Sequence, residues 1–113
     1  MTADPAPVPP RKVVLVCTGN TCRSALAEAL LRRALEERGV TGVEVSSAGT
    51  GAWEGAPASE GAYLVGLESG LDLSGHRARL LTGEVVAESD LILTMARHPF
   101  DRIRTDPLRR KTP

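Results

Sequence analysis

Cys17 and Arg23 stand at the two ends of a short polar loop, Cys17-Thr18-Gly19-Asn20-Thr21-Cys22-Arg23-Ser24. A thiol and a guanidinium facing each other across such a loop suit phosphate chemistry. An ionised sulfur is a strong nucleophile, and the planar guanidinium holds two phosphate oxygens at once and follows their charge as it redistributes in the transition state. Cys17 and Arg23 are therefore the candidate catalytic pair. Thr18, Gly19, Asn20, Thr21, Cys22 and Ser24 are the candidate substrate-binding residues.

The elements that must position this pair lie on either side. Residues 13–16, Val-Val-Leu-Val, are aliphatic without alternation, which suits a strand buried on both faces of a parallel sheet. From Ser24 onward Ala25, Leu26, Ala29, Leu30, Ala34 and Leu35 recur at helical spacing among charges, and Gly39 stops the pattern. Between strand and helix, residues 18–22 must wrap their backbone N–H groups around the helix N-terminus, where unpaired donors and the positive dipole end form an anion site. Cys17 faces the same nest, so its thiolate gains from the amides, the dipole and Arg23. Gly19 permits an unusual backbone angle, and Asn20 is the next most tolerant residue for a left-handed conformation.

The loop, followed by Ala27-Glu28-Ala29-Leu30, resembles the signature of the low-molecular-weight protein tyrosine phosphatase family. Further matches are Ser47-Ala48-Gly49-Thr50 with Trp53, the run from Asp72 to Arg79, and the run from Asp90 to Met95. They occur in the family's order and cover residues 12–97, which makes the resemblance far more specific than a bare Cys-x5-Arg. It implies a three-layer α/β/α fold with a small parallel sheet of order 2-1-3. The active loop then lies at the carboxyl end of the first strand, where open α/β sheets place ligands. The implied activity is hydrolysis of protein phosphotyrosine or phosphoarginine through a cysteinyl phosphate, with no metal and no cofactor.

Composition agrees. The 113 residues suit one domain, with 42% hydrophobic residues and zero formal charge, which favours neither a disordered chain nor a basic nucleic-acid binder. No apolar stretch approaches the ~20 residues of a membrane span. Residues 1–11, with Pro5, Pro7, Pro9 and Pro10, read as a disordered leader without the layout of a secretion signal. Two cysteines, one a candidate nucleophile, suit a reducing cytoplasm better than a disulfide scaffold. The expected partner is a phosphorylated protein, with neither nucleic acid nor membrane.

Strand and helix patterns alternate through the remainder. Residues 43–47 form a second strand, 48–57 a Gly-rich loop, and 59–68 a helix capped by Ser59. Residues 71–79 are a loop, Thr82 caps a short helix through Glu88, and residues 91–95 form a third strand with the continuous apolar character of the first. Alternating strands and helices imply right-handed crossovers and helices on both faces of a parallel sheet.

Family members continue through another helix, a fourth strand, an Asp-Pro general acid and a closing helix. The domain here, residues 12–104, is therefore expected to be incomplete at its C-terminal end, without the fourth strand, and residues 105–113 read as a basic tail. Asp106, in the only late Asp-Pro pair, is a weak candidate for the general acid, and Asp101 a weaker one. The alternative to an enzyme is a phosphate-binding remnant with little or no turnover.

The resemblance also distributes supporting roles. Residues matching Asn20, Ser24, Ser47 and His76 form a hydrogen-bond network that holds the loop, and His76 reads as a hydrogen-bonded support and not as a proton-transfer group. Ser24 lies near enough to donate to the sulfur. Trp53 either packs on the sheet edge or, as in the family, belongs to a loop that walls the substrate pocket. Cys22 either forms a reversible disulfide with Cys17, as in family members with this cysteine, or packs as a small buried side chain under the loop. Arg77 and Arg79 read as a solvated face, and His98 as solvated. Thr21, where tyrosine phosphatases carry a branched aliphatic residue, is similar to the bacterial protein arginine phosphatases. Thioredoxin-coupled arsenate reduction needs cysteines downstream of Cys22, and the chain has none. A zinc site from Cys17, Cys22, His76 and His98 fails on spacing and on the charge of Arg23.

Overall fold

The computed structural model describes residues 11–95. Strand β1 (Lys12–Cys17), helix α1 (Arg23–Glu37), strand β2 (Glu44–Gly49), helices α2 (Glu60–Glu68) and α3 (Gly83–Glu88), and strand β3 (Leu91–Thr94) follow one another in the chain. Among the described residues the three strands form one parallel sheet in the order β2-β1-β3.

The central strand is buried because both its faces are covered. Val13, Leu15 and Cys17 share a face with Val45 and Ser47, and α1 packs there: Ser24 reaches the Cys17 sulfur and Glu28 the Ser47 hydroxyl. On the opposite face Val14, Val16 and Ala48 form the core with Leu81, Val85 and Ile92, from α3, the residues before it and β3. The result is the expected three layers. Helix α2 packs beside α1, where Arg33 donates to the Ser69 carbonyl at its C-terminus.

Local chemistry sets the boundaries. Ser59 and Thr82 cap α2 and α3 by accepting from Ala62 N–H and Val85 N–H, each at 3.2 Å. Helix α1 ends where Gly39 takes φ +67°, a conformation that favours glycine. Asp90 Oδ2 accepts the backbone N–H groups of Arg11 and Lys12, each at 2.9 Å, and so ties the entrance of β1 to the start of β3. These amides hold the Asp90 carboxyl below its usual range, the Lys12 N–H most strongly.

Two expectations about the strands are corrected. Strand β2 does not end at Ser47 but runs on to Gly49, because Ala48 and Gly49 pair with Val16 and Cys17. Strand β3 lacks the two-sided burial of β1: Leu91 and Leu93 are each 39% exposed, since α1 packs chiefly over β1 and β2. The leader up to residue 10, the domain's C-terminal end expected to be incomplete, with His98 and Asp101, and the tail at 105–113 with Asp106 lie outside the described residues.

Candidate active site

The candidate site forms where β1 turns into α1. Cys17, the last residue of β1, is buried, and its sulfur accepts the Asn20 backbone N–H at 3.2 Å. Ser24 Oγ lies 2.9 Å from the same sulfur. Asn20 is fully buried and takes φ +58°, the only described non-glycine residue with a positive φ. That conformation turns its amide back onto the sulfur. The turn is therefore made at Asn20, and Gly19 does not take a left-handed angle, contrary to the expectation that it would supply the conformational freedom.

Hydrogen-bond partners fix the direction of the network. The backbone N–H of Arg79 donates to Asn20 Oδ1 at 2.8 Å, and an N–H can only donate, so the carbonyl end of the Asn20 amide must face it. The NH2 end then donates to Ser24 Oγ at 2.9 Å. With that lone pair occupied, the Ser24 proton is free for the Cys17 sulfur. Donors thus run in one sense from Arg79 through Asn20 to Ser24, whose hydroxyl can then donate to the Cys17 sulfur beside the Asn20 amide.

His76 takes the supporting role expected of it. Its Nε2 lies 2.6 Å from the Asn20 carbonyl oxygen, an acceptor only, so Nε2 carries a proton. Ser47 is corrected. Its hydroxyl donates to Glu28, which also pairs with Arg32 at 2.8 Å, so it clamps α1 to β2 and does not join the loop network.

The other candidates surround this centre. Thr18 is exposed, and its carbonyl accepts from Gly51 N–H at 2.9 Å. Thr21 is half-buried and its carbonyl accepts from Ser59 N–H at 2.8 Å, which joins the loop to the start of α2. Cys22 precedes the first turn of α1 and is exposed, against the reading of a buried packing residue; it and Cys17 are free thiols. Arg23 opens α1 and is exposed, and among the described residues no group pairs with its guanidinium. Trp53 is 85% exposed and so does not pack on the sheet edge.

Two residues carry more than the sequence indicated. Arg79 is not part of a solvated face: it is half-buried, with Nη2 donating to Ser46 Oγ at 2.9 Å and Nε to the Ser47 carbonyl at 3.4 Å. Gly49 lies so close beneath the loop that an added Cβ would stand 2.9 Å from Asn20 N and 3.0 Å from Ala52 Cβ, and closer still to the Thr18 carbonyl oxygen. A glycine ending a buried strand beside a phosphate-type loop is a signal of close backbone approach. Among the described residues no group of three or more His, Cys, Asp or Glu could hold a metal ion, and no helix is long and apolar enough to cross a membrane.

The strand-loop-helix turn that carries Cys17 at the carboxyl end of a parallel strand is the feature on which comparison with known proteins bears. The family model described as low molecular weight phosphotyrosine protein phosphatase matches residues 12–112, and the chain belongs to that family. It is 47% identical over 98 residues to a probable low molecular weight protein-tyrosine-phosphatase, EpsP, of Ralstonia solanacearum, covering 79% of this chain and 64% of that protein. It is 43% identical to the low molecular weight protein-tyrosine-phosphatase Etp of Escherichia coli, covering 74% of this chain and 53% of that one. The crystal structure of a YwlE mutant from Bacillus subtilis superposes with a TM-score of 0.80 at 34% identity, covering 88% of this chain and 68% of that one. YwlE arginine phosphatase from Geobacillus stearothermophilus gives 0.75 at 39% identity, covering 90% and 64%. The chain thus spans between about half and two thirds of the length of these curated relatives.

Proposed function

We propose that the protein hydrolyses phosphate esters or phosphoramidates on proteins through a phosphocysteine formed at Cys17. The observation that carries this reading is the sulfur itself, buried at the head of α1 with the Asn20 amide at 3.2 Å and the Ser24 hydroxyl at 2.9 Å.

In the first step the Cys17 thiolate attacks phosphorus in line. The S–P bond forms, the bond to the leaving oxygen or nitrogen breaks, and the leaving group takes a proton from an acid or from water. Thr18, Gly19, Asn20, Thr21 and Cys22 supply loop amides to the equatorial oxygens, and Arg23 closes on them from the first turn of α1. In the second step water attacks phosphorus, the O–P bond forms as the S–P bond breaks, the proton of the attacking water passes to the phosphate product or to solvent, and the Ser24 hydroxyl stabilises the departing thiolate. The amides and Arg23 provide the positive charge for both steps, so the residues themselves suffice without metal or cofactor. The two free thiols suit a reducing cytoplasm.

The names of the curated relatives favour phosphotyrosine. Thr21 favours a second substrate, phosphoarginine, because a half-buried hydroxyl suits a guanidinium better than an aromatic ring, and structural neighbours include an arginine phosphatase. Turnover of para-nitrophenyl phosphate and of phosphoarginine by the parent and by Thr21→Ile tests both. Isoleucine is expected to raise the ratio of aryl phosphate to phosphoarginine turnover. Phosphate binding without turnover of either compound would instead identify a non-catalytic phosphate-binding protein.

A further inference from the structure

The residues 78–81 extend the sheet beyond β2. Gly49 N–H donates to the Arg79 carbonyl at 2.9 Å and Leu81 N–H to the Gly49 carbonyl at 2.8 Å, a parallel bridge on the side of β2 away from β1. Arg79 is the residue of this strap that faces the loop. Its side chain grips β2 through Ser46 Oγ and the Ser47 carbonyl while its main-chain N–H meets Asn20 Oδ1.

We infer that Arg79 is a positioning residue for Cys17, holding its own backbone N–H against Asn20 so that the Ser24 proton points at the sulfur. The inference rests on Cys17 being the nucleophile. Reversal of the Asn20 amide would set two N–H groups against each other at Arg79 and would turn a carbonyl towards Ser24. That carbonyl would compete with the sulfur for the hydroxyl proton. Asn20 is fully buried, so water does not substitute for the missing partner. The Arg79 guanidinium thus acts at a distance, through a main-chain donor whose place it sets, on the hydroxyl that contacts the Cys17 sulfur.

The test uses the 113-residue chain in a Cys22→Ser background, so that alkylation reports Cys17 alone. Thermal melts establish folding, and the pH profile of iodoacetamide modification is compared for the parent, Arg79→Ala, Arg79→Lys and Ser46→Ala. Arg79→Ala is expected to move the profile about one unit towards alkaline pH, roughly a tenfold slower modification on its acid limb. Its kcat should fall in parallel with little change in KM. Arg79→Lys, which keeps a donor for Ser46, should fall between Arg79→Ala and the parent. A folded Arg79→Ala protein whose profile superposes on the parent's overturns the inference. If Arg79→Ala has no cooperative melt, Ser46→Ala decides: a smaller shift in the same direction supports the inference and a superposed profile overturns it. Failure of the underlying reading has a different signature, since turnover surviving Cys17→Ser would remove Cys17 as nucleophile whatever the alkylation profile shows.

Discussion

Asn20 Nδ2 donates to Ser24 Oγ at 2.9 Å, which leaves the Ser24 proton for the Cys17 sulfur. Replacing Asn20 by Asp puts a carboxylate where the NH2 group stands, and that oxygen takes the Ser24 proton for itself. The sulfur loses a charge-assisted bond of about 1.5–3 kcal/mol, so kcat should drop about ten- to hundredfold. Steady-state kinetics with an aryl phosphate, with circular dichroism to confirm the fold, measures this. An Asn20→Asp enzyme as fast as the parent would show that the direction of these bonds is irrelevant.

Gly49→Ala should disable the loop by contact alone. The new methyl presses on the Thr18 carbonyl and the Asn20 amide, and relief means shifting the amide that faces the sulfur. Overpacking of this kind costs about 1–3 kcal/mol, and kcat should fall by about tenfold or more. Gly51→Ala is the control, because its added Cβ finds only ordinary contacts, the nearest at 3.8 Å to Thr18. Equal activity of the two variants would contradict the close approach.

How much of this was legible in the sequence depended on distance along the chain. The strand, the loop and α1 are local, so the unbroken aliphatic run before Cys17 and the helical spacing after Ser24 were enough to place them. Arg79 and Asn20 are 59 positions apart, and nothing near Arg79 in the sequence says that its main chain will meet a buried amide. The two-residue extension of β2 was equally hidden, since Ala48 and Gly49 have poor strand propensity and are held extended by Val16, Cys17 and the strap at 79–81. Gly19 looked like the turning residue because glycine is the most permissive. Asn20 won because its side chain, once turned inward, gains Arg79 and Ser24 as partners.

Asp90 gives the fold a predictable response to acid. Its folded carboxyl titrates below the ordinary value of 3.8, so its stabilisation is complete above that value and is lost as pH falls through the lowered one. Asp72, lowered by the Ser74 amide, contributes with the same sign. Asp90→Asn should therefore be less stable than the parent at pH 7, with the difference narrowing at a pH well below the ordinary 3.8. Urea midpoints at the two pH values check this, and a gap that widens in acid would contradict it.

Cys22 offers a redox test. It is an exposed free thiol in the same loop as Cys17, and mild peroxide should join the two and remove aryl phosphate turnover until a dithiol restores it. Intact-mass measurement should show the loss of two hydrogens. Cys22→Ser should instead go on to a sulfinic acid, a gain of two oxygens that a dithiol does not reverse, and a parent whose inactivation comes without the loss of two hydrogens would argue against the disulfide.

The most direct measurement is rapid acid quench of the parent protein turning over para-nitrophenyl phosphate, followed by mass spectrometry of the peptide that carries residues 13–23. One phosphoryl group on Cys17, absent in Cys17→Ser and depleted once substrate is exhausted, is the predicted result. Turnover with Cys17 never phosphorylated, or persisting in Cys17→Ser, would contradict the claim that this sulfur is the nucleophile.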